Sequence, residues 1–198
     1  MLTNEENELL SRIGPGTPMG KLMRQYWLPA NYSYETEPDG QPIRVRLLGE
    51  DLLAWRDTNG VPAFTQDRCP HRGVSFYFGR NEECGLRCAY HGWQFDVEGQ
   101  CIDVPTVSEK IAEGLKPKAQ LQSLSVKESL GVIWVHFGQP AVDVPTFDFA
   151  SLPEEHYFVS KKFQQCNWAQ AVEGGIDTAH FSYLHANIEN GEQGENNE

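Results

Sequence analysis

Cysteine and histidine stand almost side by side twice in this sequence, in "CPHRG" from Cys69 to Gly73 and in "CAYHG" from Cys88 to Gly92. Thiolate sulfur and imidazole nitrogen together are ligands suited to zinc, copper or iron. Cys69, His71, Cys88 and His91 follow the pattern C-x-H, sixteen intervening residues, C-x-x-H. Each half opens on cysteine and closes on glycine, so two loops of similar build would clamp one centre from both sides. Two kinds of centre compete. A structural zinc site takes two cysteines and two histidines in a tetrahedron, but zinc modules pair like with like within a loop. A two-iron cluster in which one iron takes both thiolates and the other both imidazoles needs one of each from every loop.

A second constellation lies in "EGGIDTAHFSYLH", where Asp177, His180 and His185 form D-x-x-H-x-x-x-x-H. Three residues apart, Asp177 and His180 would share a helix face, whereas His180 and His185 would diverge by about 140° on a 3.6-residue turn. A regular helix cannot aim both imidazoles at one metal, so a π-type bulge or a helix end must fall between them. Taken alone, the two histidines read as ordinary polar residues on an aromatic-rich helix beside Phe181 and Tyr183.

Together the two constellations resemble a known family. "CPHRG" and "CAYHGWQF" look like the cluster-binding loops of Rieske proteins, and of Rieske oxygenases in particular, because neither loop carries an extra cysteine for a disulfide. "EGGIDTAHFSYLH" is similar to the mononuclear iron motif of ring-hydroxylating oxygenase alpha subunits of the phthalate dioxygenase type. The resemblance implies a [2Fe–2S] cluster on Cys69, His71, Cys88 and His91, and Fe(II) on His180 and His185. It gives Asp177 the catalytic role of bridging an iron-bound histidine to a cluster histidine of a neighbouring subunit, in a head-to-tail homotrimer. Electrons would come from NAD(P)H through a separate flavin reductase. O₂ would be used to hydroxylate or demethylate a phthalate-like aromatic acid. The alternative is a stand-alone electron carrier of the Rieske ferredoxin kind, with a vestigial iron motif.

The elements that position these groups read as mainly β. From Ile43 onward the chain offers short strands, "IRVRLL", "DLLAWR", "VPAF", "LRCAY", "WQFDV", "QCIDV", "AQLQSLSV" and "GVIWVHF", broken by Gly and Pro at the spacing of an antiparallel domain. Asn59-Gly60 between the second and third predicts a tight hairpin with positive backbone angles. Before them, Met19, Leu22, Met23, Tyr26 and Trp27 recur at helical spacing until Pro29. The expected organisation is an N-terminal helical segment over 1–37, a Rieske-type β domain over 38–145 and the start of an α+β catalytic domain over 146–198. In that last part "HYFVSKKFQ" predicts a strand and residues 167–185 a helix, weakened by Gly174-Gly175.

Composition narrows the partners. Acidic residues outnumber basic ones by 28 to 16, a net charge of −12 that repels nucleic-acid phosphates. No stretch approaches the roughly 20 apolar residues of a membrane span, and the start lacks the pattern of an export signal, which predicts a cytoplasmic protein. Cysteines fall at 69, 84, 88, 101 and 166. An odd count without an export signal argues against a disulfide framework, and Cys84, Cys101 and Cys166 read as structural or incidental.

The family's third iron ligand is an aspartate far downstream of its histidine pair, whereas this sequence ends at Glu198, thirteen residues after His185. A chain shortened after the histidines is therefore expected. Glu189 or another glutamate of the tail "ANIENGEQGENNE" is a weak substitute, since fixing a disordered residue costs about 1–2 kcal/mol of entropy.

Overall fold

A computed structural model describes residues 2–185, so the expected disorder of the tail and any role for Glu189 lie outside the described residues. Two compact units emerge. Arg12–Val159 forms one, and the chain up to Ser11 together with that from Ser160 forms the other.

The second unit begins with α1 (Asn4–Ser11), a helix that the apolar spacing does not announce. Its signal is the "TNEE" box. The Thr3 hydroxyl accepts from the Glu6 N–H at 3.2 Å, and the Glu6 carboxylate accepts from the Thr3 N–H at 2.8 Å. The first unit then opens on α2 (Pro18–Met23), with Thr17 as N-cap accepting from the Gly20 N–H and Pro18 in its first turn. This helix stops at Met23, earlier than the predicted end at Pro29. Arg24 bonds the carbonyls of Ile13, Gly20 and Leu48 and pairs with Glu50 at 2.6 Å, which turns the chain onto the body of the unit.

Leu28–Tyr32, placed in part within the predicted helix, is strand β1. Pro29 is tolerated there because β1 lies at a sheet edge and the register shifts between Pro29 and Asn31. Next come β2 (Ile43–Leu47), β3 (Glu50–Arg56) and β4 (Pro62–Gln66), an antiparallel meander. In the β3–β4 turn only Gly60 has positive φ, at 81°. The loop is longer than the predicted tight hairpin because Asp57 accepts the Gly60 N–H through its carbonyl and the Val61 N–H through its carboxylate.

A second antiparallel sheet carries β5 (Arg80–Glu82), β6 (Gly85–Arg87), β7 (Gln94–Phe95) and β8 (Cys101–Asp103) in sequential order. The short α3 (Glu109–Leu115) follows. Then β9 (Ser125–Ser129) and β10 (Val132–His136) join β1 in the order β1-β10-β9. The strand predicted over 119–126 thus begins only at Ser125. The mainly β, antiparallel fold class expected from the sequence is the one found.

β3 explains how these sheets make one unit. Successive side chains on a strand point to opposite faces, and here both faces are covered. Leu52 and Ala54 pack with Phe64, Leu124, Ile133 and Val135 in one core. Leu53 and Trp55 pack with Phe76, Leu86, Phe95, Leu121, Cys69 and Cys88 in another. A strand buried on both sides reads as a continuous apolar run, which accounts for "LLAW". Trp55 satisfies its buried N–H on the Thr65 hydroxyl at 3.2 Å.

In the second unit α4 (Trp168–Ile176) is capped by Asn167, whose side chain accepts from the Gln170 N–H, and is followed by α5 (Phe181–Leu184). The Trp168 indole N–H donates to the Leu10 carbonyl at 3.1 Å, tying α4 to α1. No strand forms at "HYFVSKKFQ". Phe158 and Phe163 are 90% and 86% exposed, so these two apolar side chains gain none of the packing that a sheet would give them.

Candidate metal centres

Where β4 leaves its sheet and again where β6 stops, the chain makes the same five-residue loop. In the first, the Cys69 N–H donates to the Val74 carbonyl at 2.9 Å and the Gly73 N–H to the Cys69 carbonyl at 2.8 Å. In the second, the Cys88 N–H donates to the Trp93 carbonyl at 2.9 Å and the Gly92 N–H to the Cys88 carbonyl at 3.0 Å. Closing each loop puts its last residue at positive φ, 71° for Gly73 and 72° for Gly92, where a side chain is strained.

This shared geometry sorts the donors. Each cysteine opens its loop with its backbone tied on both sides and its thiol in the core; Cys69 and Cys88 are 3% and 4% exposed. Each histidine rides farther out, His71 exposed and His91 half-buried. The two imidazole centroids are 4.7 Å apart, and His71 stacks on Trp93 at 4.5 Å. The structure therefore pairs Cys69 with Cys88 inside and His71 with His91 at the surface.

Burial pushes the Cys69 thiol up to about 11, against a hydrogen bond from the His71 backbone that lowers it, and the adjacent Cys88 adds to the rise. A thiol so raised does not ionise unaided at neutral pH; a bound cation reverses that preference by stabilising thiolate. His71 is shifted down, first by burial and then by the neighbouring His91 and Arg72, which favours the neutral imidazole that ligates metal. Among the described residues no three His, Cys, Asp or Glu side chains converge on a point for one ion. Donors arranged two by two fit a two-iron cluster better than a tetrahedral zinc site.

The other constellation belongs to the second unit. α4 ends at Ile176, and Asp177 is its C-cap in an extended conformation, φ −75° and ψ 115°. One carboxylate oxygen accepts the Ala179 N–H at 2.9 Å, and the other accepts from His180 Nδ1 at 3.3 Å. His180 then starts the single turn of α5 and His185 closes it. Of the two ways to bring the histidines together, a helix end is the one adopted. Their ring centroids are 5.3 Å apart, with Phe181 5.0 Å from His185. Fixing Nδ1 on the carboxylate leaves His180 Nε2 as the nitrogen free for a metal.

The remaining cysteines take other roles. Cys101 is in the core near the metal loops, Cys84 accepts from Asn59 Nδ2 at 3.2 Å, and Cys166 is exposed. Sequence reading passed over the arginine before each loop cysteine. In "RCPHRG" and "RCAYHG", Arg68 and Arg87 donate to the carbonyls of Gly73 and Gly92, at 3.3 and 2.8 Å. Aligning the two loops by their cysteines exposes that repetition.

An antiparallel β domain presenting two such cysteine–histidine loops is an iron–sulfur domain. Residues 26–127, just over half of the chain, match the Rieske [2Fe-2S] domain family, and residues 135–193 match a family described as LigXa C-terminal domain like. The chain belongs to the Rieske [2Fe-2S] domain family. It is 46% identical over 187 residues to the 3-chlorobenzoate-3,4-dioxygenase oxygenase subunit of Comamonas testosteroni, covering 93% of this chain and 43% of that relative. It is also 46% identical over 190 residues to the phthalate 4,5-dioxygenase oxygenase subunit of Pseudomonas putida, covering 94% and 43%. Among solved structures it resembles dicamba monooxygenase bound to dicamba, with a TM-score of 0.67 and 29% identity over 82% of this chain and 48% of that one. The chain thus spans less than half the length of these curated relatives.

Proposed function

We propose that this chain is the cluster-bearing portion of a Rieske oxygenase subunit of the phthalate type. In this reading Cys69, His71, Cys88 and His91 hold a [2Fe–2S] cluster, His180 and His185 hold Fe(II), and Asp177 orients His180 between the two centres. The observation that carries it is the pair of identically hydrogen-bonded loops, which presents two buried thiols on one side and two surface imidazoles on the other. Two neutral imidazoles in place of thiolates make a cluster less negative and raise its potential above that of an all-cysteine ferredoxin.

The chemistry supplied with both centres loaded is O₂-dependent hydroxylation or demethylation of an aromatic acid, with electrons from NAD(P)H through a flavin reductase. The protein's own part is positional. The loops keep the imidazoles at the surface, where an electron can leave, and the Asp177 carboxylate holds the His180 ring in one tautomer. A homotrimer, in which Asp177 meets a cluster histidine of a neighbouring copy, completes the proposed path. Among the described residues no helix is long and apolar enough to cross a membrane, and five free cysteines accord with a reducing cytoplasm.

Anaerobic purification followed by iron and acid-labile sulfide analysis tests the assignment. Three irons and two sulfides per chain, with an EPR signal after dithionite, are expected. Two irons and two sulfides would leave an electron carrier, and a colourless zinc protein would overturn the reading.

A further inference from the structure

The two loops differ in how their arginines are held. Arg68 is exposed and reaches the Gly73 carbonyl with one bond of 3.3 Å, on the wall of a cleft of about 390 Å³ shared with Arg44, Arg46 and Asp67. Arg87 is only 11% exposed and uses its whole fork. Nε donates to Glu82 at 2.8 Å, and Nη2 donates to the Gln94 side chain at 2.8 Å. Nη1 donates both to the Gly92 carbonyl at 2.8 Å and to Asp103 at 2.7 Å. One guanidinium thus joins β5, β7, β8 and the close of the second metal loop. Its single charge offsets part of the carboxylate charge next to that loop, from Asp103, from Glu82, which Arg80 also pairs, and from Glu83 at 3.5 Å.

We propose that Arg87 is a positioning residue for the cluster, which fixes the Cys88–Gly92 loop in its ligating shape and, by offsetting part of the charge of Glu82 and Asp103, tunes the cluster's reduction potential. This rests on the cluster assignment above. A planar fork with several donors can serve these acceptors at once, whereas a lysine ammonium cannot hold the same geometry. Adding an electron makes a cluster more negative. Uncompensated carboxylates nearby therefore oppose reduction, and a surplus cation favours it.

The sign of the effect makes it testable. In the full chain purified with its cluster, Arg87→Met is expected to lower the midpoint potential and Asp103→Asn to raise it. Each shift should correspond to a several-fold change in the oxidised-to-reduced ratio, where tenfold equals about 59 mV for one electron. Mere loosening of the loop would not move the two variants in opposite directions. Arg68→Met, with its single exposed bond, should shift the potential less than Arg87→Met. If Arg87→Met fails to assemble a cluster, Asp103→Asn decides alone. A raised potential supports the proposal, and an unchanged or lowered one overturns it. Shifts of the same sign in both variants, or none in either, also overturn it. Iron and sulfide in the unsubstituted chain separate this failure from that of the underlying assignment, whose absence of cluster would sink both.

Discussion

The two loop glycines share a backbone angle but not a neighbourhood, and that difference can be measured. A Cβ built on Gly73 meets nothing within 4 Å, so Gly73→Ala should cost only the left-handed strain, about 1–2 kcal/mol. A Cβ on Gly92 would lie 2.8 Å from Cγ of Pro105 in addition. Gly92→Ala should therefore unfold at lower denaturant than Gly73→Ala and lose more of its visible absorption when purified, a ranking that equal values for the two variants would contradict. Residue identity is also where the sequence was most legible. The four ligand candidates and Asp177, His180 and His185 could be named because cysteine, histidine and aspartate carry their chemistry in their type. The arginines before Cys69 and Cys88 could not, since an arginine's partners depend on strands that meet only after folding.

At the level of elements, the hairpins of the meander were readable because alternation and turn residues are local. β1 was not, because apolar residues at helical spacing continue to Trp27 and only the edge of a sheet formed with β10 makes a strand containing Pro29 favourable. The "HYFVSKKFQ" segment failed in the opposite sense, offering a strand pattern without a sheet to join. The link between β3 and β9 is similarly invisible in sequence. Arg56 and Glu128 form a two-bond pair at 3.0 and 3.1 Å. Hydrogen bonding from Arg56 holds the Glu128 carboxyl below its usual 4.5, with burial opposing. A depressed folded value means the contribution is present above pH 4.5 and is lost as pH falls through the lower folded value. Glu128→Gln should be less stable than the parent near pH 7 by no more than about 1 kcal/mol, because Glu128 is 38% exposed and screened. The gap should close in acid, as followed by denaturant midpoints from pH 7 to 3.

On the scale of the whole molecule, the two constellations belong to different compact units, which predicts that they can be perturbed separately. Asp177→Asn weakens the tie on His180 without touching either cysteine loop. Removing such an orienting carboxylate typically costs 10–100-fold in metal affinity. The variant should keep two irons and two sulfides per chain while the third iron becomes labile to mild chelation. Loss of sulfide along with iron would show that the two centres are not independent. Sequence reading named both constellations but could not choose between a bulge and a helix end. That choice is set by the length of α5, a single turn whose two caps are His180 and His185.

The burial of β3 on both faces has a mechanical outcome. One ribbon serves as the party wall of two oily compartments, and only one of them holds the sulfur ligands. Close-packed interiors transmit displacement because they have little free volume to absorb it. Enlarging Ala54, on the far side of that wall, would press Leu53 and Trp55 toward the thiols. The colour of the protein would then report on a site that no metal touches.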